Sequence, residues 1–393
     1  MTPYIPLHGS APLALNAASC LAVRARESAC RTCADACPIG VLARRDGAPV
    51  LVDGCLGCGR CAAACPTEAL CVPGFAVSPP GRGTGVTLEC WRVAPADGMP
   101  DALRVPCLNG LTLGRLLAIT AETDGRPVAL LDRGFCPGCP TGGGDAQPAS
   151  GLVAAAAVLL GELGVPPSRH PRLLARPLPA GRMQADPAGF VLEERVSRRG
   201  FLTALTARTA AAVEPLLEAE SGPARPAAPL RHRPVPQDRQ RLLAALRRLA
   251  PGVPLPTHLF PSLEVATTCT DHRICAAGCP TGALNRFGNA DDGEGDRGIV
   301  FDPESCVACG LCVALCPTGS ITWSEAGSKA GRARSAGSTD PAAPRTLTRH
   351  RHQTCDRCGA GYAGEDPSCP ACRRDQAFAK SAFGALFGGA GRS

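Results

Sequence analysis

Residues 55–66 read CLGCGRCAAACP, and residues 306–317 read CVACGLCVALCP. Both follow the pattern C-x2-C-x2-C-x3-C-P. Three thiols recur at every third residue, and a fourth stands just before proline. Such spacing suits metal ligation rather than a secreted disulfide framework. A looser run precedes each. Residues 20–38 supply Cys20, Cys30, Cys33 and Cys37-Pro38. Residues 267–280, TTCTDHRICAAGCP, supply Cys269, Cys275 and Cys279-Pro280, with His272 where the pattern requires a cysteine.

Composition points the same way. The chain has 393 residues, enough for several domains, yet only 4% are aromatic. With 45 glycines and 39 prolines it is poorly suited to one large core, and small modules of this kind need staples. The 24 cysteines are those staples. The start of the chain lacks a charged, apolar leader, and the longest apolar stretch, GLVAAAAVLLGELGV, better fits a buried helix than a membrane span. SRRGFL at 197–202 reads as a serine cap followed by an amphipathic helix rather than an export signal. A cytoplasmic location is expected.

The two long runs resemble those of bacterial-type ferredoxins with two [4Fe-4S] clusters, in which the cysteine before proline ligates the other cluster. The arrangement occurs twice, over residues 1–80 and 263–325, which implies a duplicated polyferredoxin. Carried over residue by residue, one site is Cys37, Cys55, Cys58 and Cys61. Its neighbour is Cys30, Cys33, Cys65 and a fourth ligand. The regular slot for that ligand is Glu27, a hard carboxylate; Cys20 on a longer loop is the softer candidate. Otherwise Cys20 is a buried apolar residue. In the second unit one site is Cys279, Cys306, Cys309 and Cys312. The other is Cys269, Cys275 and Cys316 with His272. Three readings compete for His272: an iron ligand, a bystander lining a [3Fe-4S] site, or an exposed residue beside a degraded site.

Cys355, Cys358, Cys369 and Cys372 form C-x2-C-x10-C-x2-C, which resembles a zinc ribbon. Gly359 and Tyr362 are also similar to rubredoxin, so iron is the alternative to zinc. Between the two units, GVTLECW, ALRVPC and PVALLDRGFC read as strands ending near Cys90, Cys107, Cys136 and Cys139. LGRLLAIT and GLVAAAAVLLGEL read as helices, giving a small α/β unit. This stretch resembles the small iron–sulfur subunit of hydrogenase and heterodisulfide reductase complexes, which implies a [2Fe-2S] cluster. A zinc or redox dithiol site and inert cysteines are the alternatives. Cys71 remains over and reads as a small buried hydrophobe.

The expected class is α+β: two small ferredoxin-like domains flanking a small α/β domain, plus a zinc ribbon. The expected boundaries are 1–80, 85–165, a Pro/Arg-rich connector over 166–262 with helices near 197–220 and 236–249, 263–325, a flexible linker over 326–350, the ribbon over 351–376, and a tail over 377–393. The formal charge of +7 counts cysteines as neutral. Four cubanes and one zinc site would bring it to about −3, so the basicity balances buried clusters and nucleic acid is not implied. There is no dinucleotide fingerprint, no P-loop and no nucleophile paired with a base. The expected function is relay of single electrons to or from a partner redox enzyme that does the catalysis. The alternatives are a redox-sensing or assembly scaffold docking through its ribbon, and an oxidoreductase using Cys136 and Cys139.

Overall fold

The computed structural model describes residues 4–7, 13–182 and 233–387, apart from 26–27, 29, 53, 74, 76–84, 143, 145–146, 180–181, 289–294 and 325–339. Helix and strand are mixed throughout, as the α+β class requires. The chain divides into two units, Met1–Pro251 and Gly252–Ser393.

In the first unit, short strands β1 (Ile5–Pro6) and β2 (Ala14–Leu15) precede the helical turns α1 (Leu21–Arg24) and α2 (Thr32–Asp35). Strands β3 (Leu42–Arg45) and β4 (Ala48–Leu51) form a hairpin in which Leu42 faces Leu51 and Arg45 faces Ala48. Its two-residue turn is Asp46-Gly47, both at positive φ (49° and 83°), as a right-twisted hairpin demands. Helix α3 (Arg60–Ala64) follows Cys58, and β5 (Leu70–Cys71) returns to pair with β2. Leu13, Leu42, Leu51, Leu70 and Val72 bury together beside Cys61.

Next come β6 (Val86–Cys90), β7 (Leu103–Val105), α4 (Leu113–Glu122), β8 (Val128–Asp132), α5 (Ser150–Glu162) and β9 (Arg172–Ala175). The four strands form one parallel sheet in the order β7-β6-β8-β9. Parallel strands are covered on both faces, which explains the continuous apolar run VALL in β8, where every residue is buried. Leu88, Leu116, Leu117, Leu130 and Leu160 fill the core. Helix α6 (Gln237–Leu249) packs on α4 through Leu243 and Leu246. It matches the helix expected at 236–249, whereas the one expected at 197–220, with SRRGFL, lies outside the described residues. The connector also supplies β9, so the sheet reaches past residue 165.

In the second unit, β10 (Leu263–Val265) pairs antiparallel with β13 (Ile321–Trp323). Between them lie α7 (Ile274–Gly278), β11 (Leu284–Phe287), β12 (Gly295–Phe301) and α8 (Leu311–Ala314). Beyond them are β14 (Arg345–Thr354), β15 (Gly361–Ala363) and α9 (Pro370–Phe387). Leu263, Ala276, Leu284, Ile299, Phe301 and Ile321 make the core. One antiparallel sheet runs β11-β12-β14-β15. Residues 345–350, expected in a flexible linker, are therefore strand. Backbone pairing with β12, from Gly295↔His352 to Phe301↔Arg345, holds this polar segment and joins the Cys355 region to the sheet.

Candidate metal centres

Among the described residues, four cavities are each bordered by four cysteines. The first is lined by Cys20, Cys30, Cys33 and Cys65. Cys20 ends a 3-10 turn whose Asn16 side chain accepts from the Ala18 amide at 3.1 Å. The Thr67 hydroxyl donates to the Ser19 carbonyl at 2.7 Å, tying the Cys20 loop to the segment after Cys65. The Ala69 amide donates to the Cys65 sulfur at 3.2 Å. Burial, then the Cys65 sulfur, pushes the Cys33 thiol up to about 11, and burial raises Cys20 too. Glu27 lies outside the described residues.

The second cavity is lined by Cys37, Cys55, Cys58 and Cys61, the last on α3. Burial lifts Cys58 to about 11 and Cys61 higher still. The third is lined by Cys90, Cys107, Cys136 and Cys139. Cys90 is the last residue of β6, Cys107 follows β7, and Cys136 and Cys139 follow β8. All sit at the carboxyl ends of parallel strands, where the order reverses around β6 and the crossovers leave a crevice. The Arg92 amide donates to the Cys90 sulfur at 3.4 Å. Behind Cys90 the fully buried Glu89 accepts from Arg104 Nη1 at 2.8 Å and lies 3.4 Å from Arg133 Nε.

The fourth cavity, in the second unit, is lined by Cys279, Cys306, Cys309 and Cys312. Amides of Leu284 and Ala308 donate to the Cys279 and Cys306 sulfurs, each at 3.4 Å. Burial pushes Cys312 up to about 12, with the Cys309, Cys306 and Cys279 sulfurs adding. Buried thiols of this kind resist ionisation when no cation faces them, and a positive core would offset that cost. Cys71, expected to be buried, is half-exposed in β5, with its thiol raised by what burial it has.

Burial lifts the Cys275 thiol to about 11, with the Cys269 and Cys316 sulfurs adding to the rise. His272 is exposed, and its Nδ1 lies 2.8 Å from the Thr270 hydroxyl. The adjoining Asp271 is buried. Its Oδ2 accepts from Arg273 Nε and from His352 Nε2, both at 2.8 Å. Burial pushes its carboxyl up, but these partners outweigh it and hold the group below its usual value. Asp271 and Arg273 both adopt left-handed backbone, with φ of 55° and 58°. The loop around His272 is thus pinned to strand β14 through His352, a tie that sequence spacing gave no sign of.

The sulfurs of Cys355, Cys358, Cys369 and Cys372 lie within 4.8 Å of one another. Cys358 and Cys369 are 3.8 Å apart. A tetrahedron with metal–sulfur bonds of about 2.3 Å has edges of about 3.8 Å, so the donor set fits one tetrahedral ion. Amides of Cys369 and Cys358 bring the Cys355 thiol down to about 6, while hydrogen bonds shared with Cys358 and Cys369 push Cys372 up to about 12.

Among the described residues no helix is long and apolar enough to cross a membrane. No curated protein and no solved structure matches the chain. Residues 267–320 match the family model of 4Fe-4S dicluster domains, across the segment that carries Cys269, Cys275, Cys279, Cys306, Cys309, Cys312 and Cys316. That match, over residues 267–320, and the cysteine clusters support an iron–sulfur protein.

Proposed function

We propose that the chain is a polyferredoxin-type relay that passes single electrons to or from a partner redox enzyme in the cytoplasm. The observation that carries this reading is the grouping of sixteen cysteines, four around each of four cavities. Three of these sets are cubane sites in this reading, with Cys20 completing the first, and Cys90, Cys107, Cys136 and Cys139 hold a [2Fe-2S] centre. Cys269, Cys275 and Cys316 hold a further cluster at which His272 is the fourth ligand or leaves a three-iron site. The exposed imidazole and its bond to Thr270 favour the three-iron form. The group of Cys355, Cys358, Cys369 and Cys372 holds zinc, which locks β15 and the start of α9 onto β14. The bound clusters supply reversible one-electron chemistry. The protein holds them dry, spaces them and donates amide hydrogens to their sulfurs, which raises their potentials.

The first two of these sites adjoin, for α2, which carries Cys33, packs on α3, which carries Cys61. Anaerobic reductive titration followed by mixing with a one-electron acceptor tests the reading. Several electrons taken up and delivered within milliseconds are expected. Uptake of two electrons per chain as a pair, with thiol turnover at Cys136 and Cys139, would instead make the middle domain an oxidoreductase.

A further inference from the structure

We propose that Thr141 couples the centre held by Cys90, Cys107, Cys136 and Cys139 directly to the cluster held by Cys37, Cys55, Cys58 and Cys61, making the two successive stations of one electron path. This rests on reading the middle cysteines as a redox centre. Thr141 lines both cavities. Its hydroxyl lies 3.1 Å from the Cys139 sulfur. A ligating thiolate has no proton, so the hydroxyl donates. The 3-10 turn Leu108–Gly110, which follows Cys107, packs on α3, which follows Cys58.

The two sites are clamped from both sides. Arg60, between Cys58 and Cys61, donates to the carbonyls of Thr141 at 3.2 Å and Gly142 at 2.9 Å. Arg92, two residues after Cys90, donates to the carbonyl of Leu56 at 3.0 Å. The loops also touch at Gly110, where a Cβ would lie 2.3 Å from the Cys58 carbonyl oxygen. A side chain there would force the sites apart. Electron tunnelling falls off exponentially with separation, so backbone contact of this kind is what a relay needs and a merely adjacent pair of domains lacks. Each transfer moves one electron. The site of Cys58 is oxidised by one equivalent as that of Cys107 is reduced by one, with no bond broken and no proton moved. The exposed turn Pro137-Gly138, between Cys136 and Cys139, is then the outlet to a partner.

The test is a dithionite titration of the anaerobic full-length protein followed by electron paramagnetic resonance. Donation to sulfur favours the more negative reduced state, so Thr141→Val lowers the potential of the middle centre, and Thr141→Ser restores it. The cluster at Cys279 keeps its potential in both. In fully reduced wild type, the signals of the two coupled centres broaden each other, and Gly110→Ala weakens that broadening. If wild type shows no middle centre, the reading beneath the proposal falls with it. If the centre is present but Thr141→Val leaves its potential unchanged, or shifts every centre alike, the proposal alone is overturned.

Discussion

The buried Glu89 offers a quantitative check on how the middle site is held. Its carboxylate is fully buried next to Cys90, and Oε2 accepts from Arg104 Nη1 at 2.8 Å and the Met99 amide at 3.1 Å. Oε1 sits 3.4 Å from Nε of Arg133, itself buried. Glu89→Gln keeps one accepting oxygen but turns an N–H2 group toward Arg133. Two guanidinium groups then lose their counter-ion, although Arg133 Nη2 keeps the Asp97 carbonyl at 2.8 Å and Arg104 Nη2 keeps that of Trp91 at 3.1 Å. Removing one partner from a buried ion pair costs about 3–5 kcal/mol. At about 1.4 kcal/mol per tenfold, that is roughly a hundredfold to several thousandfold in local opening. Hydrogen exchange of β6 and β8 in the anaerobic protein reads it directly. Glu89→Leu combined with Arg133→Leu removes both sides of one pair and costs less than Glu89→Gln alone. Protection within tenfold of wild type in Glu89→Gln would refute the reasoning.

Three further outcomes follow from the packing and the sites. Leu246→Ala opens a cavity between α4 and α6, since Leu246 is wholly buried; it destabilises the first unit by about 2–5 kcal/mol, measured by exchange of α4, and a loss under about 1 kcal/mol would contradict that packing. His272→Cys supplies a thiolate at the open corner beside Cys269, Cys275 and Cys316. The oxidised paramagnetic signal of a three-iron cluster is expected in wild type and lost in the variant; if wild type lacks it and the variant's potential falls, His272 is itself a ligand. Chelation of the metal at Cys355, Cys358, Cys369 and Cys372 deprotects β15 and the end of β14, whereas the paired stretch Arg345–His352 stays protected by β12; unchanged exchange at Gly361–Ala363 would show that the four sulfurs hold no structural ion.

Legibility in the sequence followed the range of the interactions. Cysteine runs such as 55–66 are readable because a compact cofactor needs its ligands within a few residues. The helix at Gln237–Leu249 is readable because its apolar face repeats along the chain. Cys20 is less so: what brings it to Cys65 is the Thr67–Ser19 hydrogen bond, a contact between distant segments. Strand β14 was masked by its composition. RTLTRHRHQT offers one large apolar residue, Leu347, and its place is set by backbone pairing that only β12 could reveal. The short β9 was hidden in a Pro- and Arg-rich stretch for the same reason. Thr141 and Asp271 carry no motif. Their parts come from geometry, one between two cavities and the other under the His272 loop.

The number of irons per chain bears most directly on the whole account. Protein purified without oxygen and analysed for iron and acid-labile sulfide is expected to hold about 17 irons, with about 15 to 18 spanning the open choices at the His272 and middle sites. About four irons per chain would contradict it, leaving a single filled cluster and no relay.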